Sequence, residues 1–337
     1  MSFFPPKENF GPLPFKFNWI WLESEGVSDI ISKAWRCFIP GSPAFSWEQK
    51  LKRVKEALKL WVKKHFQEPA LQKEKILKEM ENLQGEMETI TVTQLHFCKE
   101  VELESTLQRI LRQEAEVWRL RARTLWLQGG DQNSKFFQNQ CKDRQRWNAM
   151  RELKSEDGTL LQEQAAIKSE VKSFFSHLYS NEEQVSPRLM EEMISDIPPL
   201  VSQDARDKLE SPILESEVQT AIWTLHPDKA PGPDGFPIRF YRIFWPLIKK
   251  DLMRLISWMS KGNMGGATNS TFLALIPKER NPSSIKKFRP ISLCNASYKI
   301  FSKVLSLRLK QIIPSLISPN QGGFISGRQI SDNIILV

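Results

Sequence analysis

The residues best suited to chemistry are cations gathered between two short apolar runs, Phe272 to Ile276 and Ile291 to Leu293. Two such runs, joined by a segment that contains proline and serine, predict a β-hairpin. Its loop and far side carry five basic residues: Lys278, Arg280, Lys286, Lys287 and Arg289. Lysine binds phosphate as a point charge and arginine as a planar fork. The pattern fits a phosphate-binding hairpin, although charge alone favours an ordinary solvated one.

A second candidate is the rigid segment from His226 to Gly235, which contains three prolines and two glycines. Proline restricts φ, and glycine lets the backbone approach a ligand closely. Lys229 projects from this segment. The alternative is a turn that only joins two helices, since Asp234-Gly235 is a turn signal in any protein.

A third candidate is the stretch from Leu107 to Arg151, which has ten basic and four acidic residues. Aromatic residues, among them Trp118, Trp126 and Trp147, alternate with its cations. Arginine with aromatic side chains suits single-stranded nucleic acid, because bases stack and cations meet phosphates. Alternatively, the aromatics are helix core and the arginines a solvated face. The candidate contacts are Arg119, Arg121, Arg123, Lys135, Arg144 and Arg146.

Charge and composition limit the classes of function. The net charge is +9, and the stretch from Gly262 to Val337 has ten basic and two acidic residues. Positive charge concentrated in two separate blocks suits a polyanion such as nucleic acid. No apolar run is long enough for a transmembrane helix. Four widely spaced cysteines indicate a reducing compartment and no zinc site, so we expect an intracellular protein of the nucleus or cytoplasm.

Helices must position these groups in the first half of the chain. Ser46 is a plausible N-cap, and an apolar seam from Trp47 to Trp61 has helical spacing. A second seam runs from Ile76 to Ile90, and a third helix from about Gln94 to Leu127. These predict a long antiparallel helical hairpin. A dimerising coiled coil is the alternative, but the break at Pro69 favours packing within one chain.

The second half is predicted to alternate short elements. A strand and turn (153–158) and a helix (163–179) precede an acidic, proline-containing linker (181–207). Helices follow at 216–225, 237–261 and 298–313, on either side of the hairpin. The last helix is predicted to turn four basic residues outward: Lys299, Lys303, Arg308 and Lys310.

Four strings occur in the order typical of one enzyme family: KAPGPDGF (229–236), LIPK (275–278), FRPISL (288–293) and QGGFISGR (321–328). They resemble the opening motifs of the reverse transcriptases of non-long-terminal-repeat (LINE-type) retrotransposons, and their spacing resembles the plant elements. Each string alone is weak, but four in order are specific. The string WLQGGDQNSKFF (126–137) is similar to the linker before the polymerase in those elements, which extends the resemblance to most of the chain.

The resemblance implies roles for individual residues. Lys278 and Arg289 match the basic pair that holds the triphosphate of the incoming nucleotide. Gln321, Gly323, Phe324 and Arg328 match a motif that lies near the nucleotide and template. Lys229, Lys286 and Lys287 are implied contacts to nucleic acid. The implied partners are an RNA template, a DNA primer and a deoxynucleoside triphosphate (dNTP), with no membrane.

Polymerisation itself requires divalent metals held by carboxylates. The resembling enzymes, which use Mg²⁺, supply these from an Asp after the first palm strand and from a later Tyr-x-Asp-Asp turn. The sequence has no Asp-Asp pair, and Asp332 is its only Asp after Lys261. We therefore expect a chain that ends before the palm, contains no metal or catalytic residue and is inactive alone. The alternatives are a non-catalytic nucleic-acid-binding protein and a decayed retroelement remnant.

The predicted fold is α+β and mainly helical, with a long antiparallel helical hairpin followed by an incomplete reverse-transcriptase fingers domain that contains a β-hairpin. Its predicted parts are an extended tail after a missing upstream domain (1–45), a helical arm with a basic, aromatic end (46–150), a helical connector with an acidic linker (151–210) and the fingers (211–337).

Overall fold

The computed structural model describes residues 14–65, 69–89, 91–122, 134–155, 157–180, 186–195, 200–318, 320–323, 325 and 327–328. The described chain is mainly helical with two small antiparallel sheets, so the predicted α+β class is confirmed at that level. The strands are β1 (Leu153–Lys154), β2 (Leu160–Leu161), β3 (Thr271–Pro277) and β4 (Phe288–Cys294). The helices are α1 (Val27–Trp35), α2 (Pro43–His65), α3 (Pro69–Thr89), α4 (Gln94–Ala122), α5 (Ser134–Asn148), α6 (Gln164–Leu178), α7 (Pro187–Ile194), α8 (Gln203–Glu210), α9 (Glu215–Thr224), α10 (Ile238–Ile243), α11 (Trp245–Met259), α12 (Ala296–Leu309) and α13 (Ile313–Leu316).

The main core joins the early helix α2 to the later helices α9, α11 and α12. The apolar seam of α2 is buried as its spacing predicts, from Trp47 to Trp61. The predicted start at Ser46 is wrong, because α2 begins at Pro43. Ser42 makes the capping bond instead, its hydroxyl accepting from the backbone N–H of Phe45 at 3.2 Å. The Ser46 hydroxyl donates to the Ile39 carbonyl at 2.8 Å.

The helix predicted at 237–261 is two helices, α10 and α11, which meet at Phe244. Pro246 lies in the first turn of α11, where its missing N–H costs nothing. The same residue lacks the N–H that a continuous helix would need there. Proline therefore ends one helix and begins the next.

The helices α3 and α4 pack side by side as an antiparallel pair. Leu83 and Leu103 are buried between them, and Lys73 forms an ion pair with Glu114 at 3.4 Å. The helix α5 packs against α4 and also contacts β3. This contact brings the basic end of the helical arm to the hairpin.

The segment 181–207 was predicted to be a linker, but it contains α7 and the start of α8. Each helix has a serine N-cap whose hydroxyl accepts from a backbone N–H, Ser186 from Leu189 and Ser202 from Ala205. Pro187 lies at the first helical position, where proline favours the start of a helix. The proline that was taken to indicate a linker therefore begins a helix.

A second, smaller core lies under the β-hairpin. It contains Leu153, Ile167 and Phe175 from β1 and α6, packed with Ile285 and Phe288 of the hairpin. Leu273 and Leu275 of β3 add to it. The predicted helix at 163–179 and the predicted strand and turn near 153 are both present.

Arg308 ties α12 to α8 and α9, although it was predicted to face outward. Its guanidinium donates to both carboxylate oxygens of Glu217, at 2.7 and 2.8 Å. It also donates to three carbonyls, those of Leu209, Ser211 and Pro212. Hydrogen bonding by Arg308 lowers the pKa of Glu217. The period of a helix shows which face a residue is on but not that a neighbouring loop will cover it.

We predict that Arg308→Leu lowers the free energy of unfolding by about 2–3 kcal/mol, because it leaves Glu217 and three carbonyls without their donor. Urea denaturation measures this change. Arg254→Leu, at an exposed position on α11, is the matched control and should change stability by less than about 0.5 kcal/mol. Equal effects of both substitutions would refute a special role for Arg308.

Candidate phosphate-binding site

The register of the hairpin divides its residues between two faces. Ile276 pairs with Arg289, and Pro277 pairs with Phe288. Paired residues of antiparallel strands share a face, and successive residues alternate. Since Leu273, Leu275 and Phe288 lie in the smaller core, Arg289 lies on the opposite face. The predicted hairpin is confirmed, and its free face carries the guanidinium.

Lys278 follows β3 directly and is held by the hairpin loop. Its backbone N–H donates to the Lys287 carbonyl at 2.9 Å, and its ammonium Nζ donates to the Lys286 carbonyl at 2.8 Å. An ammonium group has three N–H donors. Two therefore remain for a ligand, and the bond to the loop restricts where the charge lies.

The other cations of the hairpin differ in their partners. Lys287 forms an ion pair with Glu279 at 2.6 Å, so part of its charge is neutralised. Lys286 is exposed. The side chain of Arg289 is exposed and makes no hydrogen bond or ion pair with any residue that the structure describes. Arg289 thus has its five donors available for an anion.

Arg280 joins the hairpin loop to α5. Its guanidinium carbon lies 5.4 Å from the centre of the Trp147 ring, a cation–π contact. Trp147 is 46% exposed, whereas Phe137 on the same helix is 4% exposed. The aromatics of this stretch therefore divide between surface and core. Arg144 and Arg146 precede Trp147 on α5 and are exposed. The guanidinium of Arg146 forms an ion pair with the carboxylate of Asp143, with 3.7 Å between nitrogen and oxygen.

Some of the predicted contacts fall on residues or side chains that the structure does not describe. Arg123 and Phe324 lie outside the described residues, and so do the side chains of Arg119, Arg121 and Lys135.

The loop that carries Lys229 is packed tightly against the start of α12. A Cβ at Gly232 would lie 2.5 Å from the backbone nitrogen and from the side-chain oxygen of Asn295. Gly235 has φ +83° and lies against the carbonyl of Phe15. Glycine is therefore required at both positions. Lys229 itself is exposed and makes no hydrogen bond with any described residue.

Asn295 is the residue that joins this loop to the hairpin. It follows β4 directly, and its side-chain oxygen accepts from the backbone N–H of Asp234 at 3.0 Å. Its side-chain nitrogen donates to the Ala267 carbonyl at 2.9 Å, just before β3 begins. Asn295 therefore holds both strands at their base. Sequence reasoning missed it, and its place between a strand and a helix was the available signal.

Lys299 is a second residue that the sequence placed wrongly, on the outer face of α12. It is half-buried, and its ammonium donates to the Ala230 carbonyl at 3.0 Å. Burial lowers its pKa, and the nearby charge of Lys229 lowers it further. These two lysines make the loop electropositive.

Asp234 provides an acidic group in the same loop. One carboxylate oxygen accepts from the backbone N–H of Phe236 at 3.0 Å, and the other is buried with no hydrogen-bond partner among the described residues. Burial raises the pKa of Asp234 to about 6, against smaller opposing effects of Lys299 and Lys55. The carboxyl group is therefore poised to titrate in weakly acidic solution.

The described part of the 321–328 segment is a turn clamped by Arg328. Its guanidinium donates to the carbonyls of Pro314, Ile317, Ser318 and Gln321, at 2.6 to 3.4 Å. Gln321 is exposed, and Gly323 lies beside its side chain. In this arrangement, binding of phosphate by Arg328 would compete with these four bonds.

The arrangement can bind phosphate, but it does not offer the ligands for a metal. Among the described residues, no three side chains of the His, Cys, Asp or Glu types lie together as a metal site requires. No helix in the described part of the chain is long and apolar enough to cross a membrane.

We predict that Gly232→Ala costs about 1–3 kcal/mol of stability, because the added methyl group meets the backbone of Asn295. Thermal and urea unfolding measure the change. Gly266→Ala is the control, since a Cβ there meets nothing within 4 Å. An unchanged Gly232→Ala protein would mean that the loop is not held against α12.

Asp234→Asn should change how stability depends on pH. Because the folded-state pKa of Asp234 is raised to about 6 from 3.8, the folded protein keeps a proton that the unfolded chain releases. Stability from this group therefore falls as pH rises from about 4 through 6. The stability difference between Asp234→Asn and wild type should grow by about 2 kcal/mol in favour of Asn from about pH 4.5 to 7.5. A difference that is constant with pH would contradict this.

The second strand of the hairpin, β4, lies within a part of the chain that matches a known family. The model of the family "Reverse transcriptase (RNA-dependent DNA polymerase)" matches residues 276–336, which include Lys278 and Arg289. Over 329 residues the chain is 30% identical to the "Transposon TX1 uncharacterized 149 kDa protein" of Xenopus laevis. That alignment covers 95% of this chain and 25% of the relative, so the chain spans about a quarter of the length of the protein it matches. Residues 276–336 are therefore similar to reverse transcriptases, in a chain that is similar over 95% of its length to part of a transposon protein.

Proposed function

We propose that this chain is the phosphate- and template-binding part of the reverse transcriptase of a LINE-type retrotransposon, of the kind found in plants. The observation that carries the proposal is the position of Lys278, two residues after Ile276, the register partner of Arg289, at the end of a supported hairpin. The side chain of Arg289 is exposed and has no partner among the described residues. The match to the reverse transcriptase family over these residues supports it.

The hairpin is suited to hold a triphosphate because Lys278 needs little reorganisation to bind it. Its other face is packed on the smaller core, and Lys278 is bonded to the loop. A preorganised cation loses less entropy when it binds than a mobile one. Arg289 supplies the planar fork that matches two phosphate oxygens, and Lys278 supplies a point charge.

The template surface would extend from this hairpin in two directions. The contact between Arg280 and Trp147 supports placing the cations of α5 beside the hairpin loop, with Lys286 on the loop itself. The bonds of Asn295 connect the hairpin base to the loop that carries Lys229. Such contacts to phosphate make affinity fall as salt concentration rises.

Polymerisation would need carboxylates that hold two divalent metals about 3.5–4 Å apart. The described residues offer no such group. We propose that residues 1–337 bind phosphate and template, because their sequence has no Asp-Asp pair like the one that holds the metals in the resembling enzymes. We expect no primer extension by these residues alone.

The proposed role predicts a selective loss. Lys278→Ala combined with Arg289→Ala should weaken binding of a fluorescent dNTP by at least about tenfold, because two charge-assisted contacts are lost. Affinity for RNA, which depends on many phosphates, should change by less than about threefold. Fluorescence anisotropy at one fixed salt concentration measures both.

Lys250→Ala with Arg254→Ala is the matched control, since both residues are exposed on α11. Their substitution removes the same two positive charges as the substitution of Lys278 and Arg289. Equal loss of dNTP and RNA binding in the Lys278 and Arg289 variant would contradict a triphosphate role. Salt-dependent RNA binding with no dNTP binding by the wild-type chain would instead favour a non-catalytic nucleic-acid-binding protein.

A further inference from the structure

The helix α7 exposes an entire apolar face. Leu189, Met190, Met193 and Ile194 lie on one side of it and are 49–70% exposed. None of the residues of α7 is buried. Four large apolar side chains side by side on one short helix are more than scattered surface residues, and such a face normally packs against another surface.

An apolar groove that could accept this face of α7 lies beside the preceding helix, α6. It has a volume of about 520 Å³ and runs between α6 and β3. Its apolar lining residues are Met150, Ile167, Val171, Phe175, Tyr179, Leu273 and Leu275. An open apolar groove beside a helix suits an amphipathic helix that inserts one face.

The charges of the two surfaces are opposite. Lys168 and Lys172 lie one turn apart on α6 and line the groove. They are exposed and make no ion pair with any described residue. On α7, the 100° step per residue places Glu191 at one border of the apolar face and Glu192 at the other. Glu192 is paired with Arg188 at 3.4 Å, whereas Glu191 has no such partner among the described residues.

The chain connection allows the two surfaces to meet. Eight residues separate Leu178 at the end of α6 from Pro187 at the start of α7. Eight residues span up to about 28 Å, and a helix of 15 residues is about 22 Å long. The connection can therefore return α7 along α6 as an antiparallel helix.

We propose that α7 docks into the groove between α6 and β3, with Met190 and Met193 inserted and Glu191 facing Lys168 and Lys172. Docking covers Leu273 and Leu275, which lie behind the face of the hairpin that carries Arg289. The bound helix thereby supports the hairpin from behind. This inference does not depend on the proposed function.

Disulfide trapping tests the proposal. Val171→Cys is combined with Met193→Cys in a chain whose four native cysteines are changed to serine. A short tether gives an effective concentration of about 1 mM, so at about 10 μM protein the bond within one chain should form about 100-fold faster than between chains. Non-reducing gels and mass spectrometry measure it. Val171→Cys with Arg188→Cys, on the polar face of α7, is the control and should not form the bond.

Exchange of charges provides the second measurement. Lys172→Glu and Glu191→Lys should each slow trapping, and the two together should restore it. No disulfide, or equal trapping through Arg188→Cys, would overturn the proposal. Disulfides only between chains would assign the groove to a second copy and would also overturn the proposal.

Discussion

The side chain of Asn295 makes the contact on which the arrangement of the candidate site depends. It bonds the loop of Asp234 on one side and the turn of Ala267 on the other, at the point where β4 ends and α12 begins. Because the side chain is 5% exposed, water competes poorly for these bonds. The close approach of Gly232 completes the junction. Two basic surfaces that are far apart in the chain are thereby held in one frame.

The cations of this protein divide by their partners into structural and available groups. The guanidinium of Arg308 donates its hydrogen bonds to a carboxylate and to carbonyls, and that of Arg328 donates to carbonyls. The ammonium of Lys299 donates to one carbonyl. Arg289 and Lys229 are exposed and unpartnered within the described residues. Net charge alone therefore overstates the charge that can meet a polyanion. What matters is which guanidinium and ammonium groups still have free donors.

One face of the hairpin is packed against the protein, and the other is exposed. Leu273, Leu275 and Phe288 pack on α6, while Arg289 faces away. A two-stranded hairpin alone is marginally stable in water, so this packing is what makes it an ordered platform. The groove beside it, between α6 and β3, remains open.

The sequence by itself determined the local elements whose signals are periodic. The seam of α2 and both strands of the hairpin followed from the pattern of apolar residues, because burial selects for that pattern. The order of four motifs indicated the family resemblance, and the family match now includes Lys278 and Arg289. The roles of the candidate site residues, and the division into four parts, remain predictions.

Only the tertiary structure decided which polar side chains already have hydrogen-bond partners within the protein. Arg308 and Lys299 read as surface cations because a helical period says nothing about a distant loop that folds over that face. Asn295 carried no motif at all, yet contacts between segments more than 60 residues apart in the chain place it at the centre of the site. The acidic, proline-containing linker contained helices, since proline also occurs at the first position of a helix, as Pro187 does in α7. The N-cap bond that begins this helix is visible only in three dimensions. Periodicity encodes burial along one element, while hydrogen-bond partners depend on which elements meet.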